Sequence, residues 1–144
     1  YPLRSCLVGS EMCIRDSTKK VTGSYTISAT GGVTVDGTLT STGTVHGVQT
    51  LAGSGSTGVI SLTETVTLLV TSGGGSTQNF SLANGVEGQI KIISHKTDGG
   101  DALVTPASFV NGTSIRFNDV EDTVTLLYQS TGWVILARQN AVVS

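Results

Sequence analysis

Beyond residue 58, apolar and polar side chains alternate with a period of two, and glycine, asparagine and aspartate punctuate the runs. A pleated strand sends successive side chains to opposite faces, so this pattern predicts half-buried strands. They fall at 59–62, 65–70, 78–82, 89–94, 102–105, 114–117, 123–128 and 133–137. Asn84-Gly85 and Asn111-Gly112 read as hairpin turns between runs, as does Asp98-Gly99-Gly100-Asp101. Pro106 marks the end of a strand, because proline cannot donate to a ladder. About eight strands at this spacing predict an all-β fold, an antiparallel, jelly-roll-like β-sandwich.

The same alternation nominates a core. Ile90 and Ile92 are expected to face inward, with Lys91 and Ile93 on the opposite side. Val66, Leu68 and Val70 share one face of their strand, and Thr65, Thr67 and Leu69 the other. Ile115 and Phe117, then Val124, Leu126 and Tyr128, then Trp133 and Ile135 complete the expected interior. The word Thr-Val-Thr-Leu-Leu occurs twice, at 65–69 and 123–127, as two equivalent strands would read or as chance in a biased composition would produce.

Residues 18–58 differ. They are a low-complexity alternation of threonine, valine and glycine, with glycines at 23, 31, 37, 43, 47 and 53. Short runs such as Tyr25-Thr26-Ile27-Ser28 and Val33-Thr34-Val35 alternate, and Asp36-Gly37 is a two-residue hairpin signal. Such short strands with few large side chains cannot alone offset chain entropy. Stacking as a solenoid or winding with identical chains as a fibre would solve this, and a flexible linker is the plainer alternative. The expected organisation is therefore a tail at 1–17, a β shaft or linker at 18–58, and a β-sandwich domain at 59–144.

Residues 1–17 stand apart again. They hold both cysteines (Cys6, Cys13), the only methionine (Met12) and one of the two prolines. The run Leu7-Val8-Gly9-Ser10-Glu11-Met12-Cys13-Ile14-Arg15-Asp16-Ser17 resembles a translated sequencing-adapter read-through, so this segment is set aside as a non-native, disordered tail. The spacing of Cys6 and Cys13 suits no zinc pattern. Without them the chain has no cysteine from which to infer a redox compartment.

Composition narrows the class. Among 144 residues there are 19 glycines, only 12% are charged, and the net charge is −2. Lysine and arginine are scattered, with no basic stripe to displace phosphate counterions, so a nucleic-acid partner is not expected. No apolar run approaches the roughly 20 residues of a membrane-spanning helix, and Gly9-Ser10-Glu11 interrupts any signal-like apolar stretch. Neither membrane insertion nor a secretory signal is expected. A core of this size leaves stability modest, which makes oligomerisation energetically plausible.

Candidate chemistry is sparse. Gly53-Ser54-Gly55-Ser56-Thr57-Gly58 matches G-x-G-x-x-G, but the sequence after it reads as strand where a dinucleotide site needs a helix. The acidic loop Asn118-Asp119-Val120-Glu121-Asp122 has hard oxygens without the spacing of a calcium loop, and Asp98 and Asp101 are alike in this. Both read as solvated turns. His46 and His95 lie in different segments, and no G-x-S-x-G elbow is present. Asn79-Phe80-Ser81 and Asn111-Gly112-Thr113 are formal glycosylation triplets of a kind this composition produces by chance. No catalytic residue, metal ligand or cofactor site is assigned, and the chain is not expected to be an enzyme.

One resemblance extends from about residue 66 to 141. It is carried by Leu82-Ala83-Asn84-Gly85-Val86-Glu87-Gly88-Gln89-Ile90-Lys91-Ile92-Ile93, Asn111-Gly112-Thr113-Ser114-Ile115-Arg116-Phe117, Asp122-Thr123-Val124-Thr125-Leu126-Leu127-Tyr128 and Gly132-Trp133-Val134-Ile135-Leu136. This order resembles the C-terminal β domain of tailed-phage virion proteins, especially those of marine phages, among them tail-fibre, head-fibre and other structural proteins; it implies a fibre tip, a shaft-plus-head or a capsid decoration. The threonine–glycine lead-in is similar to the thin shafts that precede such domains. The resemblance implies a virion structural protein, a homotrimer working with other virion proteins and with a host surface glycan as a further partner. Two alternatives stay open: an extracellular or cell-surface filament subunit assembled by strand exchange, and a glycan-binding sandwich. The second needs clustered exposed aromatics, and the chain has seven in all.

Overall fold

The computed structural model describes residues 7–8, 11–12, 38, 43–53 and 57–144. The chain divides into two compact units, Tyr1–Thr40 and Ser41–Ser144. In the first, β1 (Leu7–Val8) pairs antiparallel with β2 (Glu11–Met12). The rest of the 1–17 tail and most of the 18–58 shaft or linker lie outside the described residues.

The second unit contains no helix among its described residues; ten strands form two five-stranded sheets. They are β3 (Val48–Ala52), β4 (Gly58–Ile60), β5 (Val66–Val70), β6 (Gln78–Leu82), β7 (Ile90–Thr97), β8 (Ala102–Pro106), β9 (Ile115–Phe117), β10 (Thr123–Gln129), β11 (Gly132–Gln139) and β12 (Val142–Val143). One sheet runs β11-β10-β7-β5-β3 and the other β12-β9-β8-β6-β4.

The all-β sandwich is therefore present, but its sheets are mixed rather than antiparallel, and ten strands build it rather than about eight. From β3 to β8 each strand lies in the opposite sheet from the one before, and like strands pair in parallel: β3 with β5, β5 with β7, β4 with β6, β6 with β8. The chain makes three coils, β3–β4, β5–β6 and β7–β8, stacked as in a short solenoid. The physical reason lies in the corners. Connections such as 53–57 and 98–101 are far too short for a parallel crossover within one sheet, which takes a dozen or more residues. They do suffice to step the roughly 10 Å from one sheet to its partner. Asn84-Gly85 and Asp98-Gly99-Gly100-Asp101 are such corners between sheets, not hairpin turns as expected. After β8 the chain reverses. β9 and β12 extend one sheet antiparallel, and β10 and β11 extend the other.

Val48–Ala52, which the period-two reading leaves in the shaft or linker, is an edge strand whose Val48 and Thr50 register with Val66 and Leu68. Two of its corner glycines are required by close approach. A Cβ on Gly58 would stand 2.7 Å from the Phe80 ring, and one on Gly53 would collide with the Gln78 amide.

The interior is filled by Trp133, Phe80, Phe117, Leu82, Ile93 and Leu126 with smaller neighbours, each at most 1% exposed. Each such side chain contributes about 1.5–3 kcal/mol of transfer free energy. Trp133 also donates its indole N–H to Ala83 O at 2.9 Å and meets Tyr128 edge-on, with ring centroids 5.1 Å apart. The nominations from β9, β10 and β11 all reach this core or pack against it.

In β7 the nomination is reversed. Lys91, Ile93 and His95 point inward, whereas Ile90 and Ile92 lie on the outer face. In β5 the inward residues are Thr67 and Leu69. The run Ile-Lys-Ile-Ile carries apolar residues in both phases, so alternation alone does not choose the face. The choice falls to the partners that Lys91 and His95 find inside.

Candidate functional site

Lys91 is fully buried near the start of β7, the central strand of its sheet. Its ammonium donates to Ser61 O at 2.7 Å and Glu64 O at 2.5 Å, tying β7 to the corner that joins β4 to β5. Burial pushes its pKa down to about 8, and the Glu64 carboxylate opposes that shift only in part. The Glu64 carboxyl is in turn held below its ordinary value, first by the Ser61 hydroxyl and then by its own backbone N–H. On the other side of the same corner, Gln49 accepts from Ser61 N and the Thr67 hydroxyl and donates to Val59 O. These groups bind backbone and one another. They present no free nucleophile or base to a cleft.

His95, also fully buried, stands at the far end of β7. Its Nδ1 faces Asp119 O at 3.1 Å, a carbonyl that can only accept, so Nδ1 carries a proton. Its Nε2 meets the Thr71 hydroxyl at 3.0 Å. Thr71 Oγ1 also accepts from Gly99 N at 2.9 Å and lies 2.6 Å from Gly100 O, so one hydroxyl knits β5, β7 and the 98–101 corner together. Asp122 accepts from the N–H groups of Asn118 and Asp119 through Oδ2, while its buried Oδ1 has no partner.

The expected acidic loop is thus a carboxylate-capped turn. The backbone pairs Glu121 N–His95 O and His95 N–Asp122 O fasten it to β7. Asp98 caps Gly100 N, and Asp101 pairs with Arg116 at 2.7 Å on the surface. His46 is exposed ahead of β3, with Thr44 as its side-chain neighbour. Cys6 and Cys13 lie outside the described residues. Among the described residues no three of His, Cys, Asp and Glu gather as a metal set. The G-x-G-x-x-G run lies between β3 and β4 in the chain, and its last glycine, Gly58, opens strand β4 where a dinucleotide site needs a helix; residues 54–56 lie outside the described residues. Asn79 and Asn111 are exposed, and Asn111 Oδ1 accepts from Ile135 N.

What remains is the outer face of the sheet β11-β10-β7-β5-β3. Register places Val48, Val66, Ile92, Thr125 and Ala137 in one row across all five strands. Thr50, Leu68, Ser94, Thr123 and Gln139 form the next. Ile90, Leu127 and Val134 continue the face toward the other end. No ionisable side chain stands in these rows. Arg138, at the edge, is in register with inward-facing Val124 and donates to Ala141 O. A shallow cleft of about 300 Å³, lined by Thr123, Thr125, Ala137, Arg138 and Gln139, opens between β10 and β11.

Comparison with protein-family models finds no match, and comparison with curated proteins finds none. Function must be argued from the geometry.

The sequence reading missed both Lys91 and the outer face, for one reason. It assigned the apolar phase of β7 to the interior. The available signal was Lys91 set between Ile90 and the pair Ile92-Ile93.

Proposed function

We propose that the chain is a non-catalytic structural module of a tailed-phage virion, the end of a tail or head fibre or a capsid decoration, acting by self-assembly and surface binding. The observation that carries this reading is the unlike character of the two ends of the coil stack. At one end the parallel order stops at β3 and β4, whose outer edges pair with no further strand among the described residues. At the other, the antiparallel strands β9 to β12 extend both sheets and close the stack. Among the described residues, a stack whose parallel order ends at β3 and β4 and whose other end is closed by antiparallel strands suits a terminal module. The resemblance over residues 66–141 supports the same assignment, and three copies with other virion proteins as neighbours is the assembly it implies. The interior is packed with side chains, and its ionisable groups, Lys91, His95 and Asp122, hold backbone.

A second reading has one observation in its favour. The outer edge of β3, which pairs with no strand among the described residues, is a template for strand exchange, as a filament subunit would use. A glycan-binding sandwich has less support, since Trp133, Phe80 and Phe117 are committed to the core and no aromatic is among the exposed large apolar side chains of the described residues. Negative-stain micrographs of the purified full chain, with mass from light scattering, test the proposal. Discrete particles of three copies are expected. Open-ended filaments would transfer the case to strand exchange, and a monomer would overturn the trimeric fibre.

A further inference from the structure

We infer that the outer face of the sheet β11-β10-β7-β5-β3 is covered by a second copy of this chain. The inference deepens the self-assembly reading and rests on it, though not on a copy number of three. Its starting point is an inversion. In β7 the ionisable side chains Lys91 and His95 go inside while Ile90 and Ile92 go outside, and in β5 a threonine goes inside while Val66, Leu68 and Val70 go outside. Water offers no reason to turn the more apolar phase of two adjacent strands outward. A contiguous exposed apolar patch marks an interaction surface.

The neighbouring strands extend the patch instead of breaking it. Val48 on one side and Leu127, Val134 and Ala137 on the other lie in register with it. Threonine and serine fill the remaining positions without adding charge. The outer face of the opposite sheet differs: Arg116 stands there, paired with Asp101.

Size decides what such a face can hold. Five strands about 4.8 Å apart, rising about 3.3 Å per residue, present on the order of 500 Å². Two such faces pressed together bury about 1,000 Å², the threshold for a specific protein association. The register rows of the face carry no ionisable side chain and Arg138 lies only at its edge, so the rows offer no charge pattern for a charged partner to read. The face is complementary to itself, since aliphatic rows meet aliphatic rows and sheets pack face to face about 10 Å apart. An identical chain satisfies these conditions, and nothing further is required.

Two substitutions test this without touching the core. Ile90 and Val48 are 47% and 54% exposed and stand on this face in register with Leu127 and Val66, so Ile90→Lys with Val48→Lys is compatible with the isolated fold. Val59→Lys, on β4 of the other sheet, serves as the control. Light scattering of the full chain should give a multiple of 14.7 kDa for the wild type and for the control. The double variant should fall to the monomer mass with a cooperative melt retained, its dissociation constant raised at least about tenfold because each buried lysine is left unpaired. If the double variant does not melt cooperatively, Val48→Lys alone, at the β3 edge of the face, replaces it.

A monomeric wild type overturns the inference, as does a double variant that keeps the wild-type mass. A wild-type dimer that dissociates on Ile90→Lys supports this face while counting against the trimer. A trimer indifferent to both face variants keeps the fibre reading and sinks this one.

Discussion

Replacing Lys91 by methionine isolates the energetic consequence of burying an amine in the sheet. Methionine keeps the unbranched stem and its packing while removing the charge and the two hydrogen bonds to Ser61 O and Glu64 O. In the native protein the Lys91 pKa is lowered from 10.5 to about 8, chiefly by desolvation. Between these values the unfolded chain carries a proton that the folded chain does not, so stability rises with pH across that window. Below pH 8 both states are protonated and the penalty is constant; above about 10.5 both are neutral and it is gone.

The full shift corresponds to about 3 kcal/mol. The slope approaches about 1.4 kcal/mol per pH unit at its steepest. Denaturant melts of wild type and Lys91→Met from pH 7.5 to 10.5, at one protein concentration, measure it by difference. The exposed lysines and the tyrosines cancel in that difference. The wild type should gain on the variant as pH rises. Parallel profiles, or a wild type that loses ground, would show that the ammonium is not desolvated as its burial implies.

Three further outcomes follow from named contacts. Thr71→Val keeps shape but strips the hydroxyl that serves Gly99 N, His95 and Gly100 O, and should cost about 2–3 kcal/mol in denaturant midpoint; a loss under about 0.5 would remove its role as a hub. Gly100→Ala forces a side chain onto a backbone at φ 146° and into the Ser76 carbonyl, so a drop of at least about 2 kcal/mol is expected, and a neutral result would mean the corner relaxes freely. Trp133→Phe loses the 2.9 Å bond to Ala83 O and leaves space beside Gly85, for about 2 kcal/mol by circular dichroism melts; an unchanged midpoint would contradict the indole's place in the core.

The word Thr-Val-Thr-Leu-Leu shows where local pattern stops deciding. Its two copies flank β7 on either side in one sheet, so the expectation of related strands has substance. Yet at 123–127 the valine is buried, and at 65–69 the valine faces out while Thr67 and Leu69 face in. One copy pairs antiparallel with β7 and the other parallel. Period two has two phases, and a short word satisfies either; the partner strand and the corner select between them.

By itself the sequence determined that the chain is β throughout the described part of its second unit, where most strands fall, and that Trp133, Phe117, Ile115 and Leu126 belong to the interior. Strand existence and spacing follow from alternation and turn residues, which are local properties. Tertiary structure decided strand direction, the crossing from sheet to sheet at each corner, the recruitment of Val48–Ala52, and which phase of β5 and β7 meets water. Those outcomes depend on hydrogen bonds between residues far apart in the chain, such as Lys91 to the carbonyls of Ser61 and Glu64 and His95 to Thr71. No periodicity along the chain encodes where such partners will stand.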